Sequence, residues 1–199
     1  MTFRLTKPCH PFTIVPLSLG YGKKLWMHLL KKIRKKAKRK PTPTYAIVDS
    51  QSVKTTSASD CRGFDGNKKI KGCKRHVVVD TMGNLLAICV HAANTHDTKS
   101  GINSAKMAFA KYPTIKKFCG DQAYHKTFKE NVKRDLSLDV DISPKILPTL
   151  GVSPKRWIVE RTFAWTNHSR RLSKDYEIFA VSAENMFIVS HIATLLRRF

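Results

Sequence analysis

Three carboxylates, far apart in the chain, stand where a carboxylate is costly unless something compensates it. Asp49 follows an apolar run in "YAIVDSQSV" (Tyr45 to Val53), Asp121 follows Gly120 in "IKKFCGD", and Glu160 lies within "RWIVERTFAWTNHSRR". An unpaired carboxylate buried in a strand is unfavourable, so Asp49 calls for a metal ion or an arginine. Asp121 stands at a strand's carboxyl end, where ligands collect in open α/β sheets. At about 100° per residue, Arg156, Glu160, Ala164, Asn167 and Arg171 share one arc of a helix, with Ile158, Thr162 and Trp165 opposite. Three acids on two strands and a helix could hold two divalent cations, and hard oxygen ligands suit Mg²⁺. Two such ions ~3.5–4 Å apart stabilise the attacking and leaving oxygens of a phosphodiester.

Each acid also has a plainer reading. Asp49 in "DSQS" could form a turn, and Asp121 could cap a following helix. Glu160 could pair with Arg156 one turn back, worth ~0.3–0.5 kcal/mol. Asp65, Asp80 and Asp97 are further carboxylates near strand or loop ends, and by pattern alone Asp80 stays open as a ligand.

The elements that must position these acids follow from periodicity. "YAIVDSQSV", "KRHVVVD" (74–80), "LLAICVHAA" (85–93), "IKKFCGD" (115–121) and "LDVDIS" (138–143) read as five strands. The second and third form a hairpin about "TMGN". Helices are expected over 98–112, about 124–135, along the Glu160 segment, and over Ser182 to Arg198 with Ser182 as N-cap. A basic amphipathic helix is expected at Lys23–Lys40, with Leu25, Leu29, Ile33 and Ala37 as its apolar stripe. Residues 1–22 show no period and read as poorly ordered. "PTPT" (41–44) is a boundary, and Pro144, Pro148, Gly151 and Pro154 punctuate a loop. The expectation is therefore an α/β chain: a basic N-terminal segment over 1–41, then one domain over 42–199 with a mixed five-stranded sheet flanked by helices.

Composition points to the partner. The 199 residues hold 37 Lys and Arg against 14 acids, a formal charge of +23, which favours a polyanion such as nucleic acid. Five scattered cysteines lack a Cys-x-x-Cys pair and read against a disulfide framework, favouring a cytoplasmic location. No apolar run of transmembrane length occurs. The histidines show no zinc spacing.

The stretches "AIVDSQSVKTT", "GNKKIKGCKRHVVVDTMGNLLAICVHAANTHD", "FCGDQAYHKTF" and "RWIVERTFAWTNHSRRLSKDYE" resemble, in order and spacing, the DDE transposases of bacterial insertion sequences. The branch is the one with an Arg four residues before the glutamate. The resemblance runs from about Ala46 to Glu177. It implies an RNase H-like fold, with Asp49, Asp121 and Glu160 as catalytic residues and ligands of Mg²⁺, or alternatively Mn²⁺. Arg156 matches the signature arginine. Asn167 stands where many relatives have Lys, with Arg170 and Arg171 close by as substitute cations. Val152 and Ser153 occupy a place where an aromatic is expected.

The reaction so implied is hydrolysis at an element's end, followed by attack of the freed 3′-hydroxyl on target DNA. The partners implied are terminal inverted repeats and target DNA, engaged by a homo-oligomer without a membrane. Lys54, Arg62, Lys68, Lys69, Lys71, Lys74 and Arg75 lie on the loop after the Asp49 strand and are expected to grip phosphates. Trp157 and Phe163 could stack on an unpaired base, whereas Trp165 reads as core. With only about 40 residues before the first strand, the chain reads as a shortened transposase with weakened recognition of its repeats. The alternatives are an inactive basic DNA-binding remnant and a metal-dependent nuclease without strand transfer.

Overall fold

The structure, a computed structural model, describes residues 20–143 and 154–199. Val152, Ser153, the punctuated loop before Pro154, and most of the segment expected to be poorly ordered lie outside the described residues.

Helix α1 (Tyr21–Lys36) leads into strands β1 (Tyr45–Lys54), β2 (Gly63–Asp65), β3 (Ile70–Asp80) and β4 (Leu85–Ala92). Then come α2 (Asp97–Lys111), β5 (Lys117–Gly120), a 3-10 turn (Gln122–Tyr124), α3 (Thr127–Leu136) and β6 (Asp139–Ile142). Helices α4 (Pro154–Asn167), α5 (Arg170–Ser173) and α6 (Ala180–Leu196) complete the order. β4, β3 and β1 pair antiparallel, and β1, β5 and β6 pair parallel. The resulting order, β4-β3-β1-β5-β6, is the mixed sheet expected of an RNase H-like fold. The sixth strand, β2, is a three-residue addition that pairs with the start of β3 inside the basic loop.

Alternation along the strands builds two cores. Ala46, Val48, Val78 and Phe118 face a layer made by Ile102, Ala105 and Ala108 of α2 with Phe128 and Val132 of α3. Ile47, Val77, Val79 and Cys119 face Val159 and Phe163 of α4 with Phe187 and Ile188 of α6. A period of two is what sends successive β1 side chains to opposite layers.

Helix α1 is not a free basic arm. Trp26, Leu29, Leu30 and Ile33 are buried, and they join both cores. The stripe read from sequence was rotated: Leu25 is 47% exposed and Ala37 is exposed, while Trp26 and Arg34 point inward. Arg34 reaches Asp80, and its Nε donates to the Lys40 carbonyl at 2.8 Å, which ties down the turn after the helix. Ser182 is not the cap of the last helix, since α6 already starts at Ala180 with Phe179 before it. The Glu160 helix also ends early, at Asn167, and α5 carries Arg170 and Arg171 separately.

Among the described residues no helix is long and apolar enough to cross a membrane. Cys61, Cys73, Cys89 and Cys119 are free thiols.

Candidate carboxylate cleft

The strand register explains how two distant aspartates meet. Ile47 pairs with Cys119 across parallel strands β1 and β5, and both side chains enter the α4 layer. Two residues on, alternation returns Asp49 and Asp121 to that same face, beyond the last paired residues. Gly120 permits this close packing: a Cβ there would stand 2.9 Å from the Tyr124 Cβ. On α4, Val159, Thr162, Phe163 and Thr166 are buried. The other arc, Arg156, Glu160, Ala164 and Asn167, turns toward the aspartates, as the helical wheel predicts. Asp49, Asp121, Arg156, Glu160 and Asn167, with Ala164, line one cleft of about 510 Å³.

The electrostatics of the cleft are unbalanced. Asp49 is half-buried and accepts the Ser50 N–H at 2.7 Å. Burial pushes its carboxyl up to about 7; the Ser50 N–H opposes the rise, and the like charge of Asp121 adds to it. Asp121 caps the 3-10 turn, its Oδ1 accepting from Ala123 N at 2.9 Å, so its capping and its place in the cleft coexist. Glu160 Oε1 lies 2.9 Å from Arg156 Nε, so the helical pair expected from spacing is present. Beneath the cleft, buried Tyr124 is held well above the usual phenol range by burial and by the charges of Asp49, Asp97 and Asp121.

Among the described residues no three His, Cys, Asp or Glu side chains already stand as a ready-made metal cluster. The donor chemistry nevertheless fits a hard divalent cation. Every donor is a carboxylate oxygen, Glu160 has one ion-pair partner in Arg156, and burial of Asp49 beside Asp121 is the condition that a cation relieves. Glu160 would exchange its Arg156 contact to join them.

The DNA-contact residues read from sequence separate into three groups. Lys68, Arg156 and Asn167 line the cleft. Lys54, Arg62, Lys69, Lys71, Arg170 and Arg171 are exposed but do not line it, and Arg171 pairs with Glu177 at 2.7 Å. Lys74 and Arg75 are a correction: they are buried on β3 and are not a phosphate-gripping surface. Lys74 Nζ lies 3.0 Å from Asp97, and Arg75 donates to the Leu172 carbonyl at 2.7 Å and meets Asp175 at 3.4 Å. Of the aromatics, Phe163 lines the cleft from a buried position and Trp157 is exposed. Trp165 is only part-buried, with Arg161 and Arg198 stacked over its ring.

Ser50, Gln51, Ser52, Asp97, Ala123 and Tyr124 complete the lining and were not read as site residues. Asp97 was visible only as one carboxylate among several near loop ends. What distinguishes it is the β1–β3 register, which sets Ser50 against His76 and Ser52 against Lys74.

A family described as "Transposase DDE domain" matches residues 40–196. A putative transposase for insertion sequence element IS402 from Burkholderia cepacia is 28% identical over 118 residues, 53% of this chain and 54% of that protein. The chain thus spans about half the length of that relative. Among solved structures, the catalytic core domain of BIV integrase is 10% identical at a TM-score of 0.46, covering 75% of this chain and 82% of that one. The catalytic domain of Mos1 mariner transposase is 11% identical at a TM-score of 0.43, covering 96% and 94%.

Proposed function

Because this chain belongs to the transposase DDE domain family, we propose that its carboxylate cleft cuts DNA and joins the freed end to a target. The observation that carries the reading is the convergence of Asp49, Asp121 and Glu160, from two strands and a helix, on one cleft. These three side chains are the catalytic residues and would hold Mg²⁺, or Mn²⁺ in its place. When bound, such ions supply activation of a water and neutralisation of charge on the departing oxygen.

The chain's own residues supply the rest. Lys68 and Arg156 place positive charge on the cleft's rim, where a phosphate would lose its counterions. Asn167 offers an uncharged donor about two turns beyond Glu160 on the same face of α4. Lys54, Arg62, Lys69 and Lys71, with Arg170 and Arg171, are exposed and would contact phosphates without reading sequence. Hydrolysis of the phosphodiester leaves a 3′-hydroxyl, and attack of that hydroxyl on a target phosphodiester joins the strands and releases the target's own 3′ end. The substrates would be terminal inverted repeats and target DNA, bound by a homo-oligomer in the cytoplasm.

The test is plasmid nicking and strand transfer with Mg²⁺ or Mn²⁺, using wild type and Asp121→Ala. Cutting and joined products in wild type, both lost in the variant, are expected. Cutting without joining would make the chain a nuclease, and binding without cutting would make it a DNA-binding remnant.

A further inference from the structure

Ser50 sits between the cleft's carboxylates and the buried polar groups behind them, and its three polar groups are all engaged. Its N–H donates to Asp49 Oδ1 at 2.7 Å, its hydroxyl donates to Asp97 Oδ1 at 2.9 Å, and its carbonyl accepts from Lys68 Nζ at 3.3 Å. Asp97 Oδ1 also faces Lys74 Nζ at 3.0 Å.

Strand parity explains the arrangement. Ser50, Lys74 and His76 project to the α2 side of the sheet with Val48 and Val78, and Asp97 opens α2 there. Asp49 projects the other way, so the Ser50 backbone is the link across the sheet. Lys74 is 5% exposed, and an ammonium so enclosed needs acid partners. Besides Asp97 it meets Asp65 at 3.8 Å and donates to the Thr95 carbonyl at 3.3 Å. Asp65 in turn accepts the Ser52 hydroxyl and the N–H groups of Asn67 and Lys68, which fixes the turn that aims Lys68.

His76 does not supply the charge. Burial, helped by His91 and by Lys74 and Lys68, lowers its pKa to about 3 and keeps it neutral, its Nε2 3.6 Å from Asp97 with no hydrogen-bond partner. Burial alone would raise the Asp97 carboxyl, but the Lys74 ammonium and the Ser50 hydroxyl outweigh it and hold Asp97 below its usual range.

We propose that Asp97, held by Lys74, is a positioning residue for Asp49: it fixes Ser50, and Ser50 fixes both the Asp49 carboxylate and the Lys68 ammonium. A structural ion pair anywhere in the core would secure Lys74. This pair is joined through one serine to a candidate metal ligand and to a cation of the rim. The inference rests on the reading that the cleft cuts phosphodiesters.

The test uses the full chain as wild type, Asp97→Asn, Ser50→Ala and the double variant. Ser50→Ala removes one hydroxyl and unpairs no buried charge, so it reads the link even where Asp97→Asn folds poorly. In plasmid nicking, each single variant is expected to lose about 10- to 100-fold in kcat, as outer partners of metal ligands do. The KM for DNA should stay within about twofold, and the double variant should be no slower than the slower single one, because both break one chain of contacts. Wild-type rates in Ser50→Ala, losses that multiply, or a loss carried by KM would overturn the proposal. A loss in Asp97→Asn as complete as that of Asp121→Ala, with Ser50→Ala unaffected, would also overturn it. Amide exchange at Ser50, followed by NMR without DNA or metal, reads the same link independently of cutting. Several-fold faster exchange in Asp97→Asn, with Val77 unchanged, supports the proposal. Unchanged exchange sinks it even if the wild type proves inert, whereas an inert wild type with faster exchange in the variant sinks only the cutting reading.

Discussion

Asp49 and Asp80 lie on neighbouring strands of one sheet, and their surroundings differ in kind. Asp80 is fully buried, yet it meets the Arg34 guanidinium, the N–H groups of Met82 and Asn84 at 2.8 and 2.9 Å, and the Asn84 amide at 2.9 Å. Those partners organise the β3–β4 turn, where Gly83 adopts φ 77 and a Cβ would meet Thr162 Oγ1 at 2.9 Å. Asp49 has the Ser50 N–H and little else, and it stands beside a second aspartate. An acid whose partners are complete holds the fold together. An acid left short of positive charge is poised to take a cation from outside.

The strongest way to break this contrast is Asp49→Asn. Nicking is expected to fall on the order of 1,000-fold or more, comparable to removing a principal source of transition-state charge stabilisation. The melting temperature should hold or rise, since the replacement removes a poorly compensated buried charge. A drop in stability with cutting intact would place Asp49 with Asp80 as a structural acid.

Asp80→Asn should do the reverse. It leaves the Arg34 guanidinium buried without its acid, so unfolding free energy measured in denaturant should fall by about 3–5 kcal/mol. Cutting per folded molecule should be unchanged.

Acid sharpens the contrast from the closed side. His191 on α6 is fully buried, and its Nε2 accepts the Leu85 N–H at 3.0 Å, next to the Asp80 turn. Burial, with Arg198 nearby, lowers its pKa to about 3. The folded pKa lies below the unfolded value of ~6.5, so between those values the unfolded chain binds the extra proton. Stability is then full above ~6.5 and declines as the pH falls toward 3. From pH 7 to pH 5 this histidine should contribute a loss of about 2 kcal/mol. Denaturant curves at the two pH values check it, and His191→Gln should flatten the slope by about one proton.

Particular residues show what could be read from sequence and what could not. The strands bearing Asp49 and Asp121 were legible because β-prone runs end in turn residues, and the Glu160 arc because helical spacing is local. Asp49 and Asp80 looked alike, since both are acids in apolar strands. The charged partner that separates them, Arg34, lies 46 residues before Asp80 on a helix whose apolar stripe is phased differently from the spacing. Lys74 and Arg75 looked like loop cations because charge signals exposure until a partner is known. Their partners, Asp97 and Asp175, come from a helix start and from the segment after α5. Such long-range pairings leave no periodic trace in the chain.

The smallest expected effect on stability falls on the cleft's own ion pair. Arg156 and Glu160 have side chains 50% and 42% exposed, and an exposed pair four residues apart on a helix contributes only about 0.3–0.5 kcal/mol. Arg156→Ala should therefore leave the unfolding free energy within about 0.5 kcal/mol of wild type. If Arg156 instead serves a phosphate, the variant should bind DNA more weakly, and the slope of log K against log salt should shrink by about one. Fluorescence anisotropy across a salt series measures that slope. An unchanged slope with a large stability loss would move Arg156 to the closed side, with Arg34. A changed slope at constant stability would set the two arginines apart as their aspartates already are: one spent on the fold, the other free for the substrate.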